Sequence, residues 1–162
     1  MEITLQQATR ADAECIHRLQ LASFRALLDK YQDLDTSPGN ESCARILLRM
    51  EQPETDYFLI QLGERAVGAI RIVRLEAGTR CRVSPVFILP EVRNRGIAQA
   101  VFALIEQRYQ PPGGWELETI REEPGNCHLY EKLGYRATGA THRINARMTL
   151  VGYAKPSARN RP

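Results

Sequence analysis

The segment that decides the fold reads Ile88-Leu89-Pro90-Glu91-Val92-Arg93-Asn94-Arg95-Gly96-Ile97-Ala98. A strand is predicted before it, and an amphipathic helix is predicted from about Gly96 to Tyr109. The first N–H groups of a helix lack intrahelical partners and the helix dipole adds positive potential, so this arrangement makes an anion site. Gly96 lets the backbone approach a phosphate, Ala98 keeps the next helical turn slim, and Arg93 and Arg95 add two cations. The pattern predicts a diphosphate ligand, although taken alone it also fits an ordinary polar loop.

The chain before this segment changes from helical to β periodicity near Pro53. The pattern predicts a short strand over residues 2–8, two amphipathic helices that end near Lys30 and Met50, and strands over 57–62, 66–75 and 80–89. Pro85 lies inside the last of these strands. Because proline cannot donate a ladder hydrogen bond, that strand is either an edge strand or carries a bulge.

The chain after the segment predicts a strand over Trp115 to Ile120, a short helix over Gly125 to Leu133 and a last strand over Ile144 to Val151. The last strand rests on alternation at Ile144, Ala146, Met148 and Leu150. Helices first, antiparallel strands next and then a β-α-β-α-β run predict a mixed α/β fold with helices on both faces of the sheet.

Bulk composition excludes several classes of protein. The chain has 162 residues, 43% apolar and 25% charged, which fits one soluble globular domain. No apolar stretch is long enough for a membrane span, and the first residues do not resemble a secretory signal, so we expect a cytoplasmic protein. The four scattered cysteines, Cys15, Cys43, Cys81 and Cys127, predict free thiols.

The net charge of +3 sits partly in the last eight residues. We therefore predict a single domain over 1–154 and a basic, flexible tail over 155–162. No basic stripe with interleaved aromatic residues is present, so we expect neither a nucleic-acid nor a membrane partner.

Two ordered motifs resemble one known family. Residues 88–98 resemble the V-x-P-x-x-R-x-x-G-x-G/A signature of the GNAT superfamily of N-acetyltransferases, with Ala98 as an allowed variant of the final glycine. Asn126 to Tyr135 resembles the family's downstream N-x-x-x-x-Y-x-x-x-G-F/Y segment, and Val67-Gly68-Ala69-Ile70 resembles the strand before the signature. The resemblance implies a largely antiparallel sheet of six to seven strands, splayed in the middle and flanked by about four helices.

The same resemblance implies acetyl-CoA as the donor and assigns residues to bind it. Backbone groups around Phe87 and Ile88 are expected to bind the pantetheine arm, and the pyrophosphate is expected at the signature residues Arg93, Asn94, Arg95, Gly96, Ile97 and Ala98. Asn126 either caps the second helix motif or hydrogen-bonds the cofactor arm.

By the resemblance, Tyr130 occupies the position from which GNAT enzymes usually protonate the departing thiolate, and a phenol is protonated at neutral pH. The alternative is that Tyr130 packs against the sheet, as is expected of Tyr135. Strand alternation places Glu116 and Glu118 on one face, and Glu118 is the candidate base, with a solvated surface carboxylate as the alternative. The Ile88 N–H is expected to meet the oxyanion. Glu122 and Glu123 are alternative groups for recognising a cationic amine.

The predicted activity is transfer of an acetyl group from acetyl-CoA to a primary amine on a small molecule or peptide, by direct attack in a ternary complex. A non-catalytic acyl-CoA-binding module of the same fold is the alternative. No histidine lies at metal-ligand spacing from other ligand residues, so no metal is predicted. The acceptor pocket is expected from the first two helices, the loop at 33–40, the hairpin at 76–80 and the last strand, and the sequence leaves a homodimer open.

Overall fold

The computed structural model describes residues 2–158, which form a seven-stranded sheet with four α-helices. The strands are β1 Ile3–Gln7, β2 Thr55–Leu62, β3 Arg65–Leu75, β4 Arg80–Ile88, β5 Trp115–Ile120, β6 Arg136–Asn145 and β7 Met148–Lys155. The helices are α1 Ala13–Tyr31, α2 Cys43–Met50, α3 Ile97–Arg108 and α4 Pro124–Lys132. Their order in the sheet is β1-β2-β3-β4-β5-β7-β6. Only β4 and β5 pair in parallel, which confirms the predicted mixed, largely antiparallel sheet.

Helices cover both faces of the sheet. On β2, Phe58 packs under the Arg108 guanidinium at the end of α3, with 4.8 Å between the guanidinium carbon and the ring centre. The preceding residue, Tyr57, interacts with Arg49 of α2. Because neighbouring residues of a strand point to opposite faces, α2 and α3 lie on opposite sides of the sheet.

The sheet splays between β4 and β5. These strands pair only through Cys81 with Trp115 and Arg82 with Glu116, and they separate beyond those residues. The β3–β4 register shifts between Ile70 and Ile72, opposite the stretch of β4 that contains Pro85. The bulge alternative for this strand is therefore confirmed, since β4 lies inside the sheet and Pro85 has no N–H to donate.

The predicted last strand over 144–151 is wrong. Ala146 and Arg147 form the turn between β6 and β7, and Asn145 closes this turn by accepting the Arg147 N–H at 2.9 Å. The alternation of Ile144, Ala146, Met148 and Leu150 thus runs through a turn. Most of β6 is exposed, and an edge strand without a buried face leaves no period-two pattern of apolar residues to detect.

The C-terminal part of the described chain joins the sheet. Lys155 ends β7 and its ammonium pairs with Glu106 at 2.9 Å, and Ser157 is buried. The remaining residues of the predicted tail, 159–162, lie outside the described residues.

All four cysteines are free, as predicted. None of the helices within residues 2–158 has the length and apolarity that crossing a membrane requires.

Candidate functional site

The turn before α3 presents backbone N–H groups to solvent. Asn94 and Gly96 both have left-handed backbone conformations, with φ of 62° and 75°. The first amide of α3 with an intrahelical acceptor is that of Ala100, which donates to Gly96 O at 3.2 Å, so the amides of Ile97 and Ala98 are left without one. Successive amides in such a turn form a concave anion-binding site, which we call the nest.

The two arginines of the nest have different environments. Arg93 Nε donates to Ile88 O and its Nη2 donates to Ser23 O, both at 2.9 Å, so this side chain joins the end of β4 to α1. Arg95 makes no hydrogen bond or ion pair among residues 2–158, and its side chain borders a shallow depression with Arg65 and Glu91. The Arg95 side chain thus faces a neighbouring surface.

The end of β4 directs a peptide group into the gap between β4 and β5. Leu89 donates its N–H to Val67 O at 2.8 Å, so the peptide groups of Leu89 face β3. Peptide groups alternate in direction along an antiparallel strand, and those of Ile88 therefore face away from β3, where β5 has already diverged. Because Arg93 binds the Ile88 carbonyl, the Ile88 N–H is the free group at this position.

A groove of about 660 Å³, here called the nest groove, runs from the nest along the end of β4. It contains every predicted cofactor-binding residue except Arg95, and α1 and α4 form its sides. The predicted residues that line it are Phe87, Ile88, Arg93, Asn94, Gly96, Ile97, Ala98 and Asn126. The structure thus brings the two sequence motifs to one surface.

A second cavity, of about 250 Å³, fills the gap between β4 and β5. We call it the splay cavity. Its walls are residues 82–86 of β4 and 117–120 of β5, and the other lining residues come from α1, from the loop after α1, from α4 and from β7. Of the segments expected to form an acceptor pocket, α2 and the hairpin at 76–80 contribute none of its lining residues. Both lie toward the closed end of the β4–β5 pair.

The two spaces meet along a shared boundary, and the residues that line both are Phe24, Leu27, Val86, Asn126 and Tyr130. Tyr130 is half-buried against Phe102 and Tyr135, with ring centres 5.9 and 6.1 Å away. Its hydroxyl makes no hydrogen bond among the described residues. Burial, with a smaller contribution from Cys127, raises the pKa of Tyr130 to about 12, so the phenol is protonated at neutral pH. Asn126 is the third residue of α4, so the alternative that it caps this helix is wrong, since Glu123 is the cap.

Glu118 lines the splay cavity as part of a chain of ion pairs between β4 and β5. Arg82 donates to Glu118 at 2.5 Å and to Glu116 at 3.0 Å, and Glu116 is also bound by Arg80. The Glu118 side chain is 34% exposed, so one side of its carboxylate reaches the cavity and water. Glu116 also forms an ion pair with Arg82, but it does not line the cavity.

Glu122 and Glu123 are both bound by protein groups. Glu122 accepts the Thr149 N–H at 2.8 Å, and this hydrogen bond lowers the pKa of its carboxyl. Glu123 accepts from Lys30 at 2.7 Å and from the Tyr31 hydroxyl. Burial works to raise the pKa of Glu123, and these two hydrogen bonds outweigh it, so the pKa is lowered. Both side chains connect α4 and its preceding loop to other elements.

The sequence did not single out several cavity residues, namely Tyr31, Asp33, Arg82, Met148 and Leu150. Asp33, Met148 and Leu150 do lie in segments that were expected to form the acceptor pocket. The alternation of arginines on β4 and glutamates on β5 carried a signal for the ion pairs, but only the strand register shows which residues meet. In residues 2–158, histidine, cysteine, aspartate and glutamate side chains form no group suited to a metal ion, and the prediction of no metal stays a prediction.

Comparison with known proteins supplies the family. The model of the acetyltransferase (GNAT) family matches residues 16–135. No curated protein matches the sequence significantly. An acetyltransferase structure from Thermus thermophilus has a TM-score of 0.77 at 19% identity, over 96% of this chain and 97% of that chain. The spermidine N-acetyltransferase of Vibrio cholerae, solved with CoA and spermine, has a TM-score of 0.71 at 18% identity, over 94% of each chain.

At these identities the solved structures support the fold, and the family match extends over most of the chain. The family, the fold class and the enzyme class predicted from the two motifs are therefore confirmed. This chain belongs to the GNAT family of acetyltransferases.

Proposed function

We propose that this protein transfers an acetyl group from acetyl-CoA to a primary amine by direct attack in a ternary complex. The observation that carries the proposal is the meeting of the nest groove and the splay cavity at Tyr130. A donor held in the groove and an acceptor held in the cavity come together at a protonated phenol. Such positioning of two reactants is itself a large part of catalysis.

The residues around the nest groove fit the chemistry of CoA. Its pyrophosphate needs convergent donors, and the amides of Gly96, Ile97 and Ala98 supply them at the start of a helix. Its pantetheine arm carries amides that need strand-like partners, and the end of β4 is separated from β5 there. Bound acetyl-CoA supplies the thioester carbonyl, and the Ile88 N–H is directed to stabilise negative charge on that oxygen.

Tyr130 is the proposed proton donor to the departing thiolate. Its raised pKa keeps the phenol protonated, and its hydroxyl has no competing partner in the described part of the chain. Glu118 is the proposed base, acting on the ammonium of the acceptor directly or through a water molecule. Its second oxygen is available for this role because the Arg82 contact uses only one.

The two assignments are tested with matched substitutions. We expect Tyr130→Phe to lower kcat about 100-fold with unchanged acetyl-CoA affinity, because a general acid contributes 10² or more. Tyr135→Phe is the control, since this ring touches Tyr130 without lining either space. Glu118→Gln is expected to lower kcat similarly. Glu116→Gln is the control, because Glu116 also pairs with Arg82 but does not line the cavity, and this variant should keep kcat within about threefold.

The assay is thiol release from acetyl-CoA over a panel of amines, with mass spectrometry of the products. Equal rates for Tyr130→Phe, Glu118→Gln and the unsubstituted enzyme would show that both assignments are wrong. Cofactor binding without transfer to any amine would favour the non-catalytic binding module. Absence of acetyl-CoA binding would refute the proposal altogether.

A further inference from the structure

The charged side chains in the wall of the splay cavity already have partners. They are Asp33, Arg82 and Glu118. Asp33 is buried, one of its carboxylate oxygens accepts the Thr36 N–H at 3.0 Å, and the other is bound by the Thr36 hydroxyl. Glu118 is held by Arg82. The net charge of this wall is therefore one negative unit, and Glu118 alone has a carboxylate oxygen without a hydrogen bond.

The rest of the wall is mainly apolar. Aliphatic and aromatic side chains come from α1, β4, β5 and β7, and they include Phe24, Leu117 and Leu150. Leu150 pairs with Ile120 across β5 and β7, and both line the cavity. A ligand in this space exchanges water for hydrocarbon over most of its surface.

The volume indicates the size of the part of the ligand that the splay cavity holds. An apolar cavity of about 150 Å³ is large enough to hold benzene. At about 250 Å³, the splay cavity has room for one ring with a short chain, or for an alkyl chain of similar size.

We infer that the acceptor is a compact monoamine with an apolar body, which the splay cavity selects against di- and polyamines. This inference rests on the proposed function. One ammonium matches the single net negative charge of the wall and lies at Glu118, where it loses its proton. A second ammonium would enter the apolar part of the cavity, where the other carboxylate of the wall, that of Asp33, is already bound by Thr36 and no further net negative charge is present. A charge without a partner is strongly unfavourable there.

A matched pair of substrates tests the inference. The compounds n-pentylamine and 1,4-diaminobutane have equal length. Where n-pentylamine ends in a methyl group, 1,4-diaminobutane ends in a second ammonium. We expect kcat/KM to favour n-pentylamine at least tenfold. From ethylamine to n-pentylamine, kcat/KM should rise about fourfold with each added methylene. A ratio below ten, or a preference for the diamine, overturns the inference.

A substitution in the wall gives the converse result. Leu150→Asp adds a carboxylate opposite Ile120, and we expect it to lower the preference for n-pentylamine over 1,4-diaminobutane at least tenfold. Leu150→Asn has the same shape without the charge, and it should leave a larger preference for the monoamine than Leu150→Asp does. Equal ratios in the two variants contradict the role of charge in selection.

Failure of this inference is distinct from failure of the proposed function. Thiol release with both amines at similar rates overturns the monoamine inference and leaves acetyl transfer in place. No thiol release with any amine, in a protein that still binds acetyl-CoA, overturns both.

Discussion

Substitution of Gly68 by alanine is expected to lower the rate of acetyl transfer sharply, although Gly68 lies on β3 and outside the groove and the cavity. Gly68 of β3 pairs with Ile88 of β4, and a Cβ at this residue would lie 2.1 Å from Phe87 O and 3.1 Å from Ile88 Cα. An ordinary contact begins at 3.4 Å, so the end of β4 must retreat by about 1.3 Å. Forcing a methyl group into such a contact costs about 1 to 3 kcal/mol of stability. A misplacement of about 1 Å at a catalytic group costs about 100-fold in rate.

The measurement is kcat/KM for acetyl-CoA together with urea unfolding. We expect Gly68→Ala to lose about 100-fold in kcat/KM, because the Ile88 N–H moves with the strand. Gly78→Ala is the control, since φ there is 90° and nothing lies within 4 Å of the added Cβ. It should cost about 1 to 2 kcal/mol through backbone strain alone and keep full activity. The reasoning fails if Gly68→Ala stays within threefold of the unsubstituted enzyme, or if Gly78→Ala loses as much activity.

Three further outcomes are expected. First, Tyr130 has a folded pKa of about 12 against about 10 unfolded, so its contribution to stability is complete below pH 10 and is lost as pH rises toward 12. Urea unfolding should show that, between pH 8 and 11, the unsubstituted protein loses about 1.4 kcal/mol more than Tyr130→Phe, and equal losses would contradict the raised pKa. Second, Arg93→Ala should cost about 2 kcal/mol of unfolding free energy through its two carbonyl hydrogen bonds, whereas Arg95→Ala, without such bonds, should leave the midpoint unchanged. Third, inorganic pyrophosphate should compete with acetyl-CoA, and the inhibition should weaken from 50 to 500 mM NaCl, because the nest interacts with charge; inhibition independent of salt would argue against the nest.

Local patterns predicted most elements of the fold. The strand Trp115–Ile120 is predicted to the residue because one of its faces is buried and the other is polar. The missing N–H of Pro85 predicted either an edge strand or a bulge, and the structure has the bulge. The strand β6 was missed because it is exposed along most of its length. The error over 144–151 has the same origin, since a short turn can continue a period-two pattern without a strand.

The candidate site likewise has one part that follows from local sequence and one part that depends on the packing of distant segments. The nest is a local structure, because its left-handed residues and the start of α3 belong to one short segment. It could therefore be predicted from that segment alone. The splay cavity joins α1, β4, β5 and β7, and its charge balance depends on the register that brings Arg82 to Glu118. A single sequence does not determine such a register. The loop at 33–40 and the last strand were expected to form the acceptor pocket, but only the fold identifies Asp33 and Leu150 as the residues that line it.

The divergence of β4 from β5 gives rise to both the nest groove and the splay cavity. If β4 and β5 remained paired along their length, the Ile88 N–H would bond to the neighbouring strand, and neither a groove nor a cavity would open between them. Because pairing stops after Arg82, the same divergence frees a backbone donor on one side and creates an apolar space on the other. Tyr130 lies where the two meet. Under the proposed function, an enzyme built this way changes its acceptor through wall residues such as Leu150, while Gly68 and the nest are expected to keep the donor in place.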